Sequence, residues 1–122
     1  INFGILNKNI VMEVQVLQDK VDSWIKNYGV RYFDILTNMA QLTEEVGEVA
    51  RIISRRYGEQ SEKREDLNKD LGEELSDVIF VVLCIANQTG INLQKSFDKK
   101  IIQKSIRDKN RHIENPKLKK NN

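Results

Sequence analysis

The 122 residues are about one domain's worth of chain, 39% hydrophobic and 31% charged, with six Gly, one Pro and 7% aromatic residues. That balance excludes a multidomain enzyme with its own cofactor domain, a disordered polar chain, collagen and most small all-β domains, which need more turn residues. The net charge of +2 hides an asymmetry, with 11 basic against 15 acidic residues through Phe97 and 9 against 3 from Asp98 onward. Such a split implies a polyanion site, a solvated tail, or both.

The lone cysteine, Cys84, has no partner for an internal disulfide, and the chain shows neither a signal-peptide pattern nor a membrane span. The longest apolar run, Val78 to Ala86, is nine residues, against about 20 for a bilayer crossing. A cytoplasmic location with no membrane partner is the expectation. The chain opens at Ile1 without methionine, so residues 1–8 carry no weight in the reading. A core this small gains from association, which makes a homo-oligomer the expected state.

In chain order, Ile10, Val14, Leu17, Val21, Trp24, Ile25 and Tyr28 recur at helical spacing and predict a first helix ending at Gly29. Trp24 and Tyr28 lie on its apolar stripe and read as core or subunit interface ahead of a base-stacking platform. Ile35 through Tyr57 carry the same period for about six turns, closed by Gly58. The polar run Glu59–Asp66 has no apolar residue to bury and predicts a mobile loop. Leu67, Leu71, Leu75, Val78, Val82 and Ile85 predict a third helix, apolar on every side in its second half and ending near Gly90. A last helix starts with Asn92 as N-cap and carries Leu93, Phe97, Ile101 and Ile106, before Pro116 and a frayed end. The architecture is all-α, four helices in one domain over residues 9–115, with 116–122 a basic flexible tail.

Two groups of acids stand out. Glu44, Glu45 and Glu48 lie on the second helix, and Glu73, Glu74 and Asp77 on the third. Glu45 with Glu48, and Glu74 with Asp77, are three apart, so each pair shares a face, and two such pairs can converge into a cage. The plainer account of the second helix is that Arg51, Arg55 and Arg56 neutralise its acids. On the third helix, a wheel drawn from Val78 puts Glu74 between Val81 and Ile85 with Leu67 and Leu71 beside it, inside the apolar arc, and Asp77 next to it. Burying two ionised carboxylates without partners costs several kcal/mol each, so something cationic must compensate. If that is a metal, carboxylates without His or Cys nearby suit Mg²⁺ or Mn²⁺ ahead of zinc or a di-iron centre. The single histidine, His112, reads as a surface residue, and Cys84 as a small buried hydrophobe.

Glu44-Glu45-x-x-Glu48 followed by Glu74-x-x-Asp77, within LTEEVGEVARII, RRYGE and GEELSDVIFVVLCIANQTGINL, resembles the MazG-like all-α nucleoside triphosphate pyrophosphohydrolases over roughly residues 20–111. The resemblance is to the short, single-domain bacterial type. It implies a helical bundle that assembles as a dimer or tetramer, binds Mg²⁺ and cleaves (d)NTP to (d)NMP and diphosphate, a house-cleaning task in the nucleotide pool. By the same resemblance Glu45, Glu48, Glu74 and Asp77 match metal ligands, and Glu44 an additional acid that assists water activation. Divalent ions there would neutralise a triphosphate and acidify water.

The family's Lys-x-x-x-Arg pattern on the last helix is met at Arg107, but Gln103 stands in the lysine's place, leaving Lys100 or Lys104 to reach the phosphates from neighbouring positions. Asn87 reads as a helix-end cap or a base or sugar contact. Two other readings stand beside this one: a phosphoribosyl-ATP pyrophosphohydrolase-like enzyme, and a non-catalytic helical module whose basic tail binds nucleic acid. Nine basic residues without interleaved aromatics favour neither nucleic acid nor its recognition.

Overall fold

The computed structural model describes residues 13–119. Four α-helices follow in order: α1 (Val14–Trp24), α2 (Ile35–Tyr57), α3 (Leu71–Gln88) and α4 (Leu93–Arg107). Among the described residues there is no strand, as the scarcity of turn residues requires. The first positions expected of α1, Ile10 among them, lie outside the described residues.

Helices α2 and α3 make the most extensive contact, α1 packs on α3, and α4 touches α1. The α2–α3 pair is antiparallel, since Asn38 meets Gln88, Glu45 approaches Glu74 and Asp77, and Arg51 meets Asp66. Val21 and Ile25 of the first helical segment bury against Leu83 and Cys84 of α3, with Leu17, Tyr32, Phe80 and Leu93 around them. No residue of α4 is buried, and α4 leaves α3 at 109°. No single described helix is long and apolar enough to cross a membrane.

Capping sets the boundaries. Leu36 N–H donates to Asp34 Oδ1 (2.8 Å), Gly72 N–H to Asp70 Oδ1 (2.7 Å) and Lys95 N–H to Asn92 Oδ1 (3.1 Å), so the starts of α2, α3 and α4 are each closed by the side chain of the N-cap residue. Helix α3 ends as the sequence implies at Gly90, whose φ of 71° lets Ile91 N–H reach Ala86 C=O (2.9 Å) and Gly90 N–H reach Asn87 C=O (3.2 Å).

Three expectations are corrected. The third helix does not begin at Leu67. Asp70 caps it, and Leu67 sits outside it, 57% exposed, in the turn after a 3₁₀ segment at Arg64–Asp66. The polar run Glu59–Asp66 is also no free loop. It buries Asp66, 1% exposed, against Arg51, and Arg56 binds Glu62 while donating to the backbone carbonyls of Asp66 and Lys69. Charge, not apolar burial, holds this segment, and a hydropathy pattern does not register that. Finally, the first helix changes character after Trp24: Ile25–Gly29 form a π turn that ends at Gly29, and Val30 follows at a strained φ of 70°.

Trp24 and Tyr28 are 49% and 75% exposed, so within one chain they are not core. Trp24 stands edge-on to Phe80 with ring centroids 5.5 Å apart. The apolar half of α3 is likewise open on one side, with Ile79 52% exposed. Cys84 is buried, which raises its thiol pKa, in keeping with an inert hydrophobe. His112 is exposed, and Pro116–Lys119 form a 3₁₀ turn.

Candidate metal centre and adjoining pocket

The antiparallel pairing of α2 and α3 turns two acidic segments toward one another. Carboxylate oxygens of Glu45, Glu74 and Asp77 lie within 4.8 Å of one another, the spacing from which three side chains can hold one cation. Glu45 and Glu74 are half-buried and Asp77 is exposed at the rim. Among the described residues no Lys or Arg forms an ion pair with these three. The strain of the arrangement falls on Glu45, whose carboxyl is raised above its ordinary pKa by burial first and then by Asp77, Glu74, Glu48 and Glu44. An all-oxygen set with uncompensated negative charge fits a hard divalent ion.

Glu48, expected in the same set, is held differently. Arg51 Nη2 donates to its Oε2 at 2.6 Å, and Lys69 Nζ stands 3.6 Å from the same oxygen. The Arg51 hydrogen bond and charge hold Glu48 below the usual carboxylate range. Neutralisation by arginine therefore describes Glu48 and does not extend to Glu45, Glu74 or Asp77. Glu44 and Glu73 are exposed, Glu44 one position from Glu45 and outside the three-carboxylate group.

One turn along the same two helices an apolar cavity of about 280 Å³ opens between Trp24, Tyr32, Phe33 and Phe80, with Asn38 and Gln41 supplying polar atoms. Its size lies near the lower end of small-molecule sites, about 300–1,000 Å³. Gln41 is four residues before Glu45 on α2, and Val81, also in the cavity wall, four after Asp77 on α3. Those intervals place cavity and carboxylates side by side on one face of the helix pair. Periodicity marked Trp24 and Phe80 as apolar but gave no sign that they wall a cavity. The π turn that supplies Ile25 and Gly29 to the cavity wall has no signature in composition.

Asn87, read as a helix-end cap or a base or sugar contact, has its side chain engaged within the fold. Gln18 Nε2 donates to its Oδ1 (3.0 Å), and both its amide hydrogens are spent on Gln18 C=O (2.9 Å) and the Tyr32 hydroxyl (3.0 Å). Tyr32 in turn donates to Asp22 Oδ1 at 2.7 Å. Burial first, then this bond to Asp22, pushes the Tyr32 phenol up to about 12. Ten residues separate Asn87 from Asp77, about 15 Å along a helix.

The basic residues of α4 are not gathered at the carboxylates. Lys100 and Lys104 are exposed, and Arg107 is exposed and forked onto Asp108 by Nε (3.1 Å) and Nη2 (2.9 Å).

Residues 33–112 match the MazG nucleotide pyrophosphohydrolase domain. The chain belongs to the MazG family. Uncharacterized protein YpjD of Bacillus subtilis is 41% identical over 95 residues, 78% of this chain and 86% of YpjD. The YpjD crystal structure superimposes with a TM-score of 0.63 at 40% identity, covering 71% of this chain and 86% of that one. The crystal structure of the Bacillus-conserved MazG protein, a nucleotide pyrophosphohydrolase, gives the same TM-score at 33% identity, covering 76% and 89%. Membership makes this all-α chain a hydrolase of the nucleotide pyrophosphohydrolase type, a group that generally depends on a metal.

Proposed function

We propose that the protein cleaves nucleoside triphosphates, (d)NTP to (d)NMP and diphosphate, with Mg²⁺ or Mn²⁺ held by Glu45, Glu74 and Asp77 and completed by Glu48. One observation carries the reading: three carboxylates without a basic partner adjoin an apolar, aromatic-walled cavity. The cavity takes the base against its aromatic wall of Trp24 and Phe80, with Gln41 and Asn38 facing its polar edge, and the triphosphate then extends over the carboxylates. A bound divalent ion supplies phosphate charge neutralisation and acidifies water. Glu44, exposed and uncommitted to the three-carboxylate group, accepts the proton of the attacking water.

The chain acts as a homodimer or homotetramer. Beyond Leu93, helix α4 shows Phe97 (55%), Ile101 (50%) and Ile106 (75% exposed) to solvent, and it points away from α3. Lys100, Lys104 and Arg107 therefore meet the phosphates from a second copy. Light scattering should report a mass at least twice that of the chain.

A panel of NTPs and dNTPs with Mg²⁺ tests the reaction. Monophosphate and diphosphate should appear together, and Glu74→Gln or Asp77→Asn should abolish turnover with the helical spectrum intact. Release of orthophosphate with nucleoside diphosphate, or no turnover of any triphosphate, refutes the proposal.

A further inference from the structure

Behind Glu48 lies a group of four alternating charges that the three-carboxylate cluster does not include. Arg51 is forked: Nη2 donates to Glu48 Oε2 at 2.6 Å and Nη1 to Asp66 Oδ2 at 2.8 Å. Lys69 Nζ stands almost midway between the two acids, 3.6 Å from Glu48 Oε2 and 3.7 Å from Asp66 Oδ1. Asp66 is 1% exposed, and its Oδ1 is buried without a hydrogen-bond partner. An orphaned carboxylate oxygen in so enclosed a place is costly unless a donor can reach it. The Lys69 ammonium is the donor within reach.

The geometry points to Asp66 as a positioning residue for Glu48, acting through Arg51 and Lys69. Glu48 is held by two basic side chains, and Glu45 of the three-carboxylate group stands one turn away on α2. Drawing Glu48 toward a divalent ion leaves two cations facing one anion. The spare Oδ1 of Asp66 would receive Lys69 as Glu48 turned toward an ion, so both cations would keep an acid partner although the group would then carry one net positive charge. The segment at 64–69 thereby senses occupancy of the site, because Asp66 and Lys69 both belong to it, Lys69 N–H donating to Asp66 C=O at 3.0 Å. This inference rests on the metal reading of the site.

The test reads ion binding, not turnover. Mg²⁺ and Mn²⁺ are titrated by calorimetry into the full chain, Asp66→Asn, Arg51→Gln and the double variant. Asp66→Asn leaves Arg51 and Lys69 with Glu48 as their one acid, so affinity should fall at least fivefold, and adding Arg51→Gln should bring it back to within about twofold of the parent. A folded Asp66→Asn protein with parental affinity, or a double variant as weak as the single one, overturns the inference while leaving the metal site standing. A parent chain that takes up neither ion overturns both. Should Asp66→Asn not fold, amide exchange of the parent decides. Saturating Mg²⁺ should change the exchange rates of the Asp66 and Lys69 amides at least threefold, and in Glu48→Gln at saturating ion it should not. Equal responses in the two proteins overturn the inference.

Discussion

Replacing Asn87 by alanine separates a scaffold residue from a substrate contact. The side chain makes three hydrogen bonds that join α1, α3 and the segment before α2: one accepted from Gln18 Nε2 and two donated, to Gln18 C=O and to Tyr32 Oη. None of the partners is left wholly unpaired by the deletion. Gln18 Nε2 still donates to Ile91 C=O at 2.8 Å, Gln18 Oε1 still accepts from Leu93 N–H at 2.9 Å, and Tyr32 still donates to Asp22. The cost is therefore that of ordinary net hydrogen bonds, about 1 kcal/mol each, plus part of the penalty for thinning the shell around a Gln that is 4% exposed. About 3 kcal/mol in total is expected, a large share of the 5–15 kcal/mol that holds a domain of this size.

Thermal unfolding should show a fall in Tm of roughly 12–24 °C, since 1 kcal/mol is about 4–8 °C for a domain of around 100 residues. Turnover of the folded variant, measured well below its Tm, should keep KM within twofold of the parent. A Tm unchanged within 2 °C together with a tenfold rise in KM would refute the reasoning and return Asn87 to the substrate.

Four further outcomes follow. In metal-free protein the raised carboxyl of Glu45 binds a proton more tightly folded than unfolded, so its contribution to stability is complete below the ordinary carboxylate pKa and is lost as pH rises through the folded value. Glu45→Gln should flatten that loss, and denaturant titrations at pH 4 and pH 7 without metal check it. Glu48 has the opposite sign, its pKa being lowered by Arg51, so the Glu48–Arg51 contribution should disappear as pH falls through the acid range, and Glu48→Gln should remove that slope. Trp24→Ala opens the cavity wall at an already half-exposed position and should raise KM for triphosphate several-fold with kcat little changed; steady-state kinetics decide it. Gly58→Ala should destabilise α2, because a Cβ there would stand 2.1 Å from Ser54 C=O, and the Tm reads it directly.

The parts of this fold that were legible in the sequence are those set by local chemistry. Helix period, Gly29, Gly58, Gly90 and the Asn92 cap are each decided within a turn of chain, and the acids of α2 and α3 announce themselves by spacing. What was not legible has a common cause in long-range contacts. Leu67 continues the apolar period of α3, yet Asp66 one residue before it is buried on Arg51, fifteen positions back, and that anchor keeps Leu67 off the helix. The three hydrogen bonds of the Asn87 side chain were not legible either, because they reach Gln18 and Tyr32, which no local pattern ties to it. The cavity was invisible for the same reason, its walls coming from the π turn, α2 and α3 at once.

The same contrast explains why Glu48 behaves unlike Glu45, though both sit in one motif. A three-residue step on a helix turns the side chain by about 300°, so two acids on nearly one face still look toward different neighbours. Glu45 faces Glu74 and Asp77 across the antiparallel pair, where like charges raise its pKa. Glu48 faces the returning segment, where Arg51 and Lys69 lower it. A motif that reads as four equivalent ligands thus folds into three acids in need of a cation and a fourth already supplied with two. On the proposed metal reading, the affinity of the site is set partly by residues outside the motif: Arg51 and Lys69, which compete with an ion for that fourth carboxylate, and Asp66, which competes with Glu48 for them.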